Sequence, residues 1–198
     1  PYEMDGWEIN RQNTSNSWQL GTPSSYYVPN FSTINPSSIY SLIIRYDDRT
    51  AQNEEVLSPV FTATSSTRIR FYAAFDGVYS MYAPLTVEIE EQQSEKKPTE
   101  IFNSFMWSQE NPHERHKWLK FELDLSAYDQ KSVRVIFRYK GIGGDYVFID
   151  DFSVIESATG EDAKATINEG ETISFIDMSE GNPTSWEWTF TGGEPATS

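Results

Sequence analysis

The chain has 198 residues, with 30 acidic against 15 basic groups, a net charge of −15, no cysteine and 15% aromatic residues. That charge repels phosphate backbones and anionic headgroups, which excludes nucleic acid and membrane surfaces as partners, and the absent thiols remove disulfide scaffolds, thiolate zinc sites and cysteine nucleophiles. No apolar run approaches the ~20 residues of a membrane-spanning helix, so membrane insertion by a helix is not expected.

The length lies between one large domain and two small ones. Pro1-Tyr2-Glu3 carries neither the charged nor the apolar region of a secretory leader, so any such segment is expected to lie outside this sequence. Helical periodicity is nearly absent. Short alternating runs bounded by Gly, Pro, Asn, Asp and Ser predict strands at Ser38–Tyr46, Glu55–Phe61, Thr67–Phe75, Leu85–Glu91, Trp118–Asp124, Ser132–Tyr139 and Tyr146–Glu156. In Arg68-Ile69-Arg70-Phe71 and in Val133-Arg134-Val135-Ile136-Phe137-Arg138-Tyr139, alternation puts charge on one face and bulk on the other. Such strands joined by turn-rich connections predict an all-β fold, an antiparallel jelly-roll sandwich rather than a parallel sheet. Arg11–Ser37 and Gln92–Lys117 read as long loops tied down by Trp18, Tyr26, Tyr27, Phe31 and Trp107. Residues 158–164 read as a short polar linker, which divides a first domain, 1–157, from a segment at 165–198.

Catalytic motifs fare poorly. His113-Glu114-Arg115-His116 lacks the spacing that places two imidazoles on one helix face, and these are the chain's only two histidines. No Gly-x-Ser-x-Gly occurs, and Gly141-Ile142-Gly143-Gly144 precedes a strand instead of opening a helix. Paired carboxylates exist by number alone, and nothing marks one pair out.

Residues 165–198 resemble the PKD domain, an immunoglobulin-like β-sandwich. The resemblance rests on Gly170, Ile173, Phe175, Asp177, Ser179, Gly181, Pro183, Trp186, Trp188, Phe190 and Gly193. The later strands of such a domain do not fall within the sequence, so an incomplete one is expected, with Trp186 and Trp188 lacking an opposing sheet. Residues 1–157 resemble the cleaved-adhesin or choice-of-anchor J jelly rolls, relatives of MAM-type sandwiches. The ordered pieces are Tyr2-Glu3, Gly6-Trp7, Trp18, Leu57-Ser58-Pro59, Phe71-Tyr72, Trp118, Leu123-Asp124-Leu125-Ser126-Ala127-Tyr128 and Phe148-Ile149-Asp150-Asp151-Phe152-Ser153-Val154. Many relatives carry an Asp-rich loop where this chain has Asn10–Ser17, which puts in doubt a metal site on that loop.

Strand alternation places Phe148, Asp150, Phe152 and Val154 on one face, so Asp150 sits in an apolar row where it needs a cation, hydrogen-bond donors or a raised pKa. The resemblance implies a structural calcium ion held by Glu3 and Asp150. Asp47, Asp48 and Asp151 are further candidate ligands, and backbone carbonyls would complete the six to eight oxygens. The alternative is that Asp150 caps a turn or meets an arginine. Among the aromatics in or beside loops, which include Tyr79, Tyr82 and Trp118, the candidate ligand-binding residues are Trp18, Tyr26, Tyr27 and Trp107. The resemblance makes Trp7 and Trp118 core residues. The expected function is a non-catalytic accessory module of a secreted or cell-surface bacterial protein, such as an extracellular peptidase or adhesin. Its partners would be a host or matrix protein, or the neighbouring domains of the parent chain. A carbohydrate-binding module using the loop aromatics is the alternative, and a hydrolase is the least favoured reading.

Overall fold

The structure, a computed structural model, describes residues 6–12, 16–22, 40–112 and 117–156. Backbone contacts divide the chain after Glu161, and the architecture below belongs to the unit before that point. The PKD resemblance at 165–198 lies outside the described residues.

Eleven strands, β1(Glu8–Asn10), β2(Gln19–Gly21), β3(Ser41–Ile44), β4(Gln52–Leu57), β5(Phe61–Thr62), β6(Thr67–Phe75), β7(Leu85–Glu91), β8(Thr99–Asn103), β9(Leu119–Asp124), β10(Ser132–Gly141) and β11(Val147–Glu156), make two sheets. One has the order β1-β4-β10-β7-β8 with β5 also on β10; the other has β2-β3-β11-β6-β9. Every pairing among them is antiparallel. The architecture is an all-β sandwich.

Alternation decides the layers. Val133, Val135, Phe137 and Tyr139 of β10 and Ile69, Phe71, Ala73 and Phe75 of β6 are buried in one shared core. Arg134 and Arg138 take the other face of β10. There Arg134 donates to Glu90 and Arg138 binds Glu55 and Glu88, all from neighbouring strands. This cross-strand charge matching stabilises the register of the six-stranded sheet. At the core's centre Phe71 packs against Phe102, Phe121 and Phe137 with ring centroids 5.1–6.4 Å apart. The outer face of the five-stranded sheet carries a second, smaller cluster of Ile43, Ala74, Trp118 and Phe148.

Four expectations need correction. β4 starts at Gln52, three residues before the predicted Glu55, because polar side chains are buried there. The Gln52 amide donates to the Asn16 and Arg45 carbonyls, and its oxygen accepts from the Asp47 amide. The predicted loop Gln92–Lys117 contains β8 and a helix, α1(Ser104–Glu110). Asn103 caps that helix, its side chain accepting from the Phe105 and Met106 amides. The predicted loop Arg11–Ser37 contains β2, and Tyr26, Tyr27 and Phe31 lie outside the described residues. Finally, Phe148 and Phe152 do not share a face. The β11–β6 register shifts between Asp150 and Ser153, with Asp151 in the left-handed region at φ 48°. One extra residue turns Phe152 toward the main core, while Phe148 stays in the outer cluster.

Candidate functional site

Asp150 lies just before that bulge. One carboxylate oxygen accepts from the Asp151 amide at 2.8 Å; the other, Oδ2, is buried and has no hydrogen-bond partner among the described residues. Burial raises its pKa to about 6, the Asp151 amide opposes this, and the neighbouring Asp151 charge adds to it. Asp150 borders a slot of about 220 Å³ walled by Trp7, Tyr40, Phe137 and Phe152, among others. Ser41, only 2% exposed, lines the same slot with its hydroxyl also unpartnered among the described residues. A buried, unshared carboxylate oxygen is the kind of ligand a hard cation takes, so Asp150 fits that role.

Of the other candidate metal ligands, Asp47 and Asp48 are not brought to it. Val147 pairs with Ile44 and Ile149 with Leu42, so Asp150 continues the ladder toward Ser41 while Asp47 and Asp48 lie beyond its opposite end. Asp47 is committed to a turn: its Oδ1 accepts the Arg49 and Thr50 amides, which hold its pKa low. Asp48 is exposed beside Arg49. Asp151 adjoins Asp150 at the bulge, and Glu3 lies outside the described residues. No group of three or more His, Asp or Glu side chains converges among the described residues.

The candidate ligand-binding rings are likewise redistributed. Trp18 is fully buried and donates its indole N–H to the Glu54 carbonyl at 3.1 Å, so it is a core residue. Trp107 projects from α1 edge-on to Phe75 and Phe121, with centroids 5.8 and 5.4 Å away, and is core packing too. Trp118 is buried in the outer cluster, and Trp7 packs half-buried against Phe137 and Phe152. Tyr26 and Tyr27 lie outside the described residues.

Among the described residues, Leu20, Tyr40, Val60, Met106 and Val154 are exposed singly, whereas the β6–β7 connection gathers several exposed side chains. A 3-10 turn, Tyr79–Met81, presents Tyr79 at 47% and Tyr82 at 54% exposure, with ring centroids 6.4 Å apart. Val78, Met81 and Ile142 are exposed around them, and the Ile142 amide donates to the Tyr82 carbonyl. A relay of small polar groups fixes this turn against α1. Ser108 Oγ donates to the Ser104 carbonyl, Ser104 Oγ to Ser80 Oγ, and Ser80 Oγ to the Asp76 carbonyl. Asp76 Oδ1 in turn accepts the Val78 amide at 2.7 Å. Gly77 is what permits the approach, since a Cβ there would lie 2.5 Å from Ser108 Oγ. Between the turn and α1 runs a groove of about 360 Å³. Sequence reasoning counts Tyr79 and Tyr82 among the loop aromatics without singling them out, and it misses the groove entirely. The Asn103-Ser104 cap ahead of a run of helix formers was the available signal.

No family model matches the chain, and no curated protein matches it in sequence. Solved structures do. TmCBM61, determined with β-1,4-galactotriose, superposes with a TM-score of 0.51 at 13% identity over 78% of this chain and 91% of that one. The K1 cleaved adhesin domain of the Lys-gingipain of Porphyromonas gingivalis W83 gives 0.51 at 7% identity, covering 77% and 92%. The K2 cleaved adhesin domain of Lys-gingipain gives 0.51 at 12%, covering 76% and 90%. The fold is a β-sandwich of that kind. No helix among the described residues is long and apolar enough to cross a membrane.

Proposed function

We propose that the chain is a non-catalytic, calcium-stabilised accessory binding module of a secreted or cell-surface bacterial protein, followed from 165 by the start of a PKD-like domain. The observation that carries this reading is the exposed end around Val78, Tyr79, Met81 and Tyr82 on a rigid sandwich. Exposed rings clustered beside a groove, on a turn pinned by hydrogen bonds, are what a binding surface requires. The fold shared with cleaved adhesin and carbohydrate-binding modules supports the same reading. The partner is a host or matrix protein, with a glycan as the second reading. For calcium, Asp150 supplies the buried, unshared oxygen, and Glu3 is the second side-chain ligand proposed. The ion would tie strand ends and supply no chemistry to a reacting molecule.

The test is capture of the immobilised protein by panels of matrix proteins and glycans, repeated with a Tyr79→Ser/Tyr82→Ser variant of unchanged melting temperature. Binding that the variant loses supports the reading. Turnover of a glycan or peptide by the isolated protein would overturn it.

A further inference from the structure

The groove between the Tyr79–Met81 turn and α1 has a composition unlike the surface around it. Its described lining residues are Gly77, Val78, Met81, Phe105, Ser108, Gln109, Asn111 and Pro112. None of these is charged, on a chain carrying −15 overall. An ionic ligand would find no counter-charge among them and would have to give up its hydration for nothing in return. The lining is instead divided. Val78, Met81, Phe105 and Pro112 are apolar, and Ser108, Gln109 and Asn111 bring hydroxyl and amide groups.

Gln109 is the informative one. It is exposed and borders the groove, and its side-chain amide makes no hydrogen bond to any of the described residues. A primary amide sets a donor and an acceptor side by side, which matches two adjacent hydroxyls, each able to give and take a proton. A lining that joins apolar side chains to an exposed amide complements a pyranose, whose C–H face is apolar and whose edge is a row of hydroxyls. The volume, about 360 Å³, lies within the range of small-ligand sites. The groove is also built before any ligand arrives. The hydroxyl relay through Ser104 and Ser80 and the close contact of Gly77 with Ser108 hold both walls in place. Such preorganisation lowers the entropic cost of binding.

We infer that this groove binds a neutral saccharide, with Gln109 hydrogen-bonding adjacent hydroxyls and Met81 and Phe105 meeting the sugar's apolar face. This rests on the binding-module reading above and develops its second, glycan, reading for the groove beside the turn. A protein partner docking by its own side chains is the competing outcome.

The experiment uses the whole chain and a panel of neutral galactose-, glucose-, mannose- and N-acetylglucosamine-based oligosaccharides, beside the same backbones carrying sulfate or uronate. The strongest binder is then titrated calorimetrically to millimolar concentration. A neutral oligosaccharide is expected to bind, and its sulfated counterpart at least tenfold more weakly. Gln109→Ala should weaken binding about tenfold and Gln109→Glu more, both at unchanged melting temperature because the site is exposed. Equal binding by Gln109→Ala, or preference for the anionic series, overturns the inference. If no neutral sugar binds while matrix-protein capture is still lost in the Tyr79→Ser/Tyr82→Ser variant, the saccharide inference falls and the broader reading stands. If neither class is captured, both fall.

Discussion

Gly77→Ala is the sharpest probe of how the exposed end is built. An added Cβ would stand 2.7 Å from the Ser108 Cβ, where ordinary contact begins at 3.4 Å, so α1 or the turn must retreat by roughly 0.7 Å. The Ser108 hydroxyl is held at 2.6 Å on the Ser104 carbonyl and cannot yield without breaking that bond. Overpacking of this kind costs about 1–3 kcal/mol. We expect about 2 kcal/mol, or a melting temperature lower by about 4–8 °C for a unit of this size. Ser108→Gly removes the obstructing atoms at a cost of its own, about 1 kcal/mol from a glycine inside a helix and a lost hydrogen bond. The double variant should therefore lose less than the sum of the two singles, by at least about 1 kcal/mol of coupling. Urea titrations of the four proteins measure it. Strict additivity would refute the contact between the turn and α1, and with it the account of how the groove gets its walls.

Asp150 gives a pH prediction whose sign follows from its raised pKa. In chelator the folded protein holds a proton on Asp150 up to about pH 6, while the unfolded chain loses it near 3.8. Stability from this group therefore falls as pH rises through that window and is level above it. The full shift corresponds to about 3 kcal/mol, and partial exposure reduces it to about 1–2. Asp150→Asn should remove that slope and, in chelator at pH 7, melt no lower than wild type. With calcium the order reverses, since only wild type should gain; a wild-type melt identical in calcium and chelator would refute the proposed ion. Trp18→Ala should cost about 3–5 kcal/mol, because it deletes a fully buried ring and strands the Glu54 carbonyl. Trp107→Ala, only half-buried, should cost about 2–3 kcal/mol. Neither should change ligand affinity per folded molecule, which titration of the folded fraction would check.

The fold was legible where its strands alternate. The two charged and bulky alternations, Arg68–Phe71 and Val133–Tyr139, each left a single way to face a core, and both sit as expected. The elements that escaped were those whose stability comes from polar contacts instead of period. β4 reaches back to Gln52 through amide hydrogen bonds, and α1 depends on the Asn103 cap inside a stretch with no apolar periodicity. The bulge at Asp151 broke the face assignment of Phe152, since one extra residue reverses everything after it. At the candidate site, an aromatic beside a predicted loop gave no way to tell a buried ring from an exposed one. Trp18 and Trp107 are spent on packing, whereas Tyr79 and Tyr82, on a short turn held away from the core, are not. The proximity of that turn to α1 is a tertiary fact, set by contacts between residues more than twenty positions apart.

The proposed meeting point of the chain and its partner is this end of the sandwich. Capture of matrix proteins and glycans by the wild type and by Tyr79→Ser/Tyr82→Ser, matched in melting temperature, tests it directly. At least a tenfold loss is expected for the double variant. Undiminished capture by that variant would contradict it.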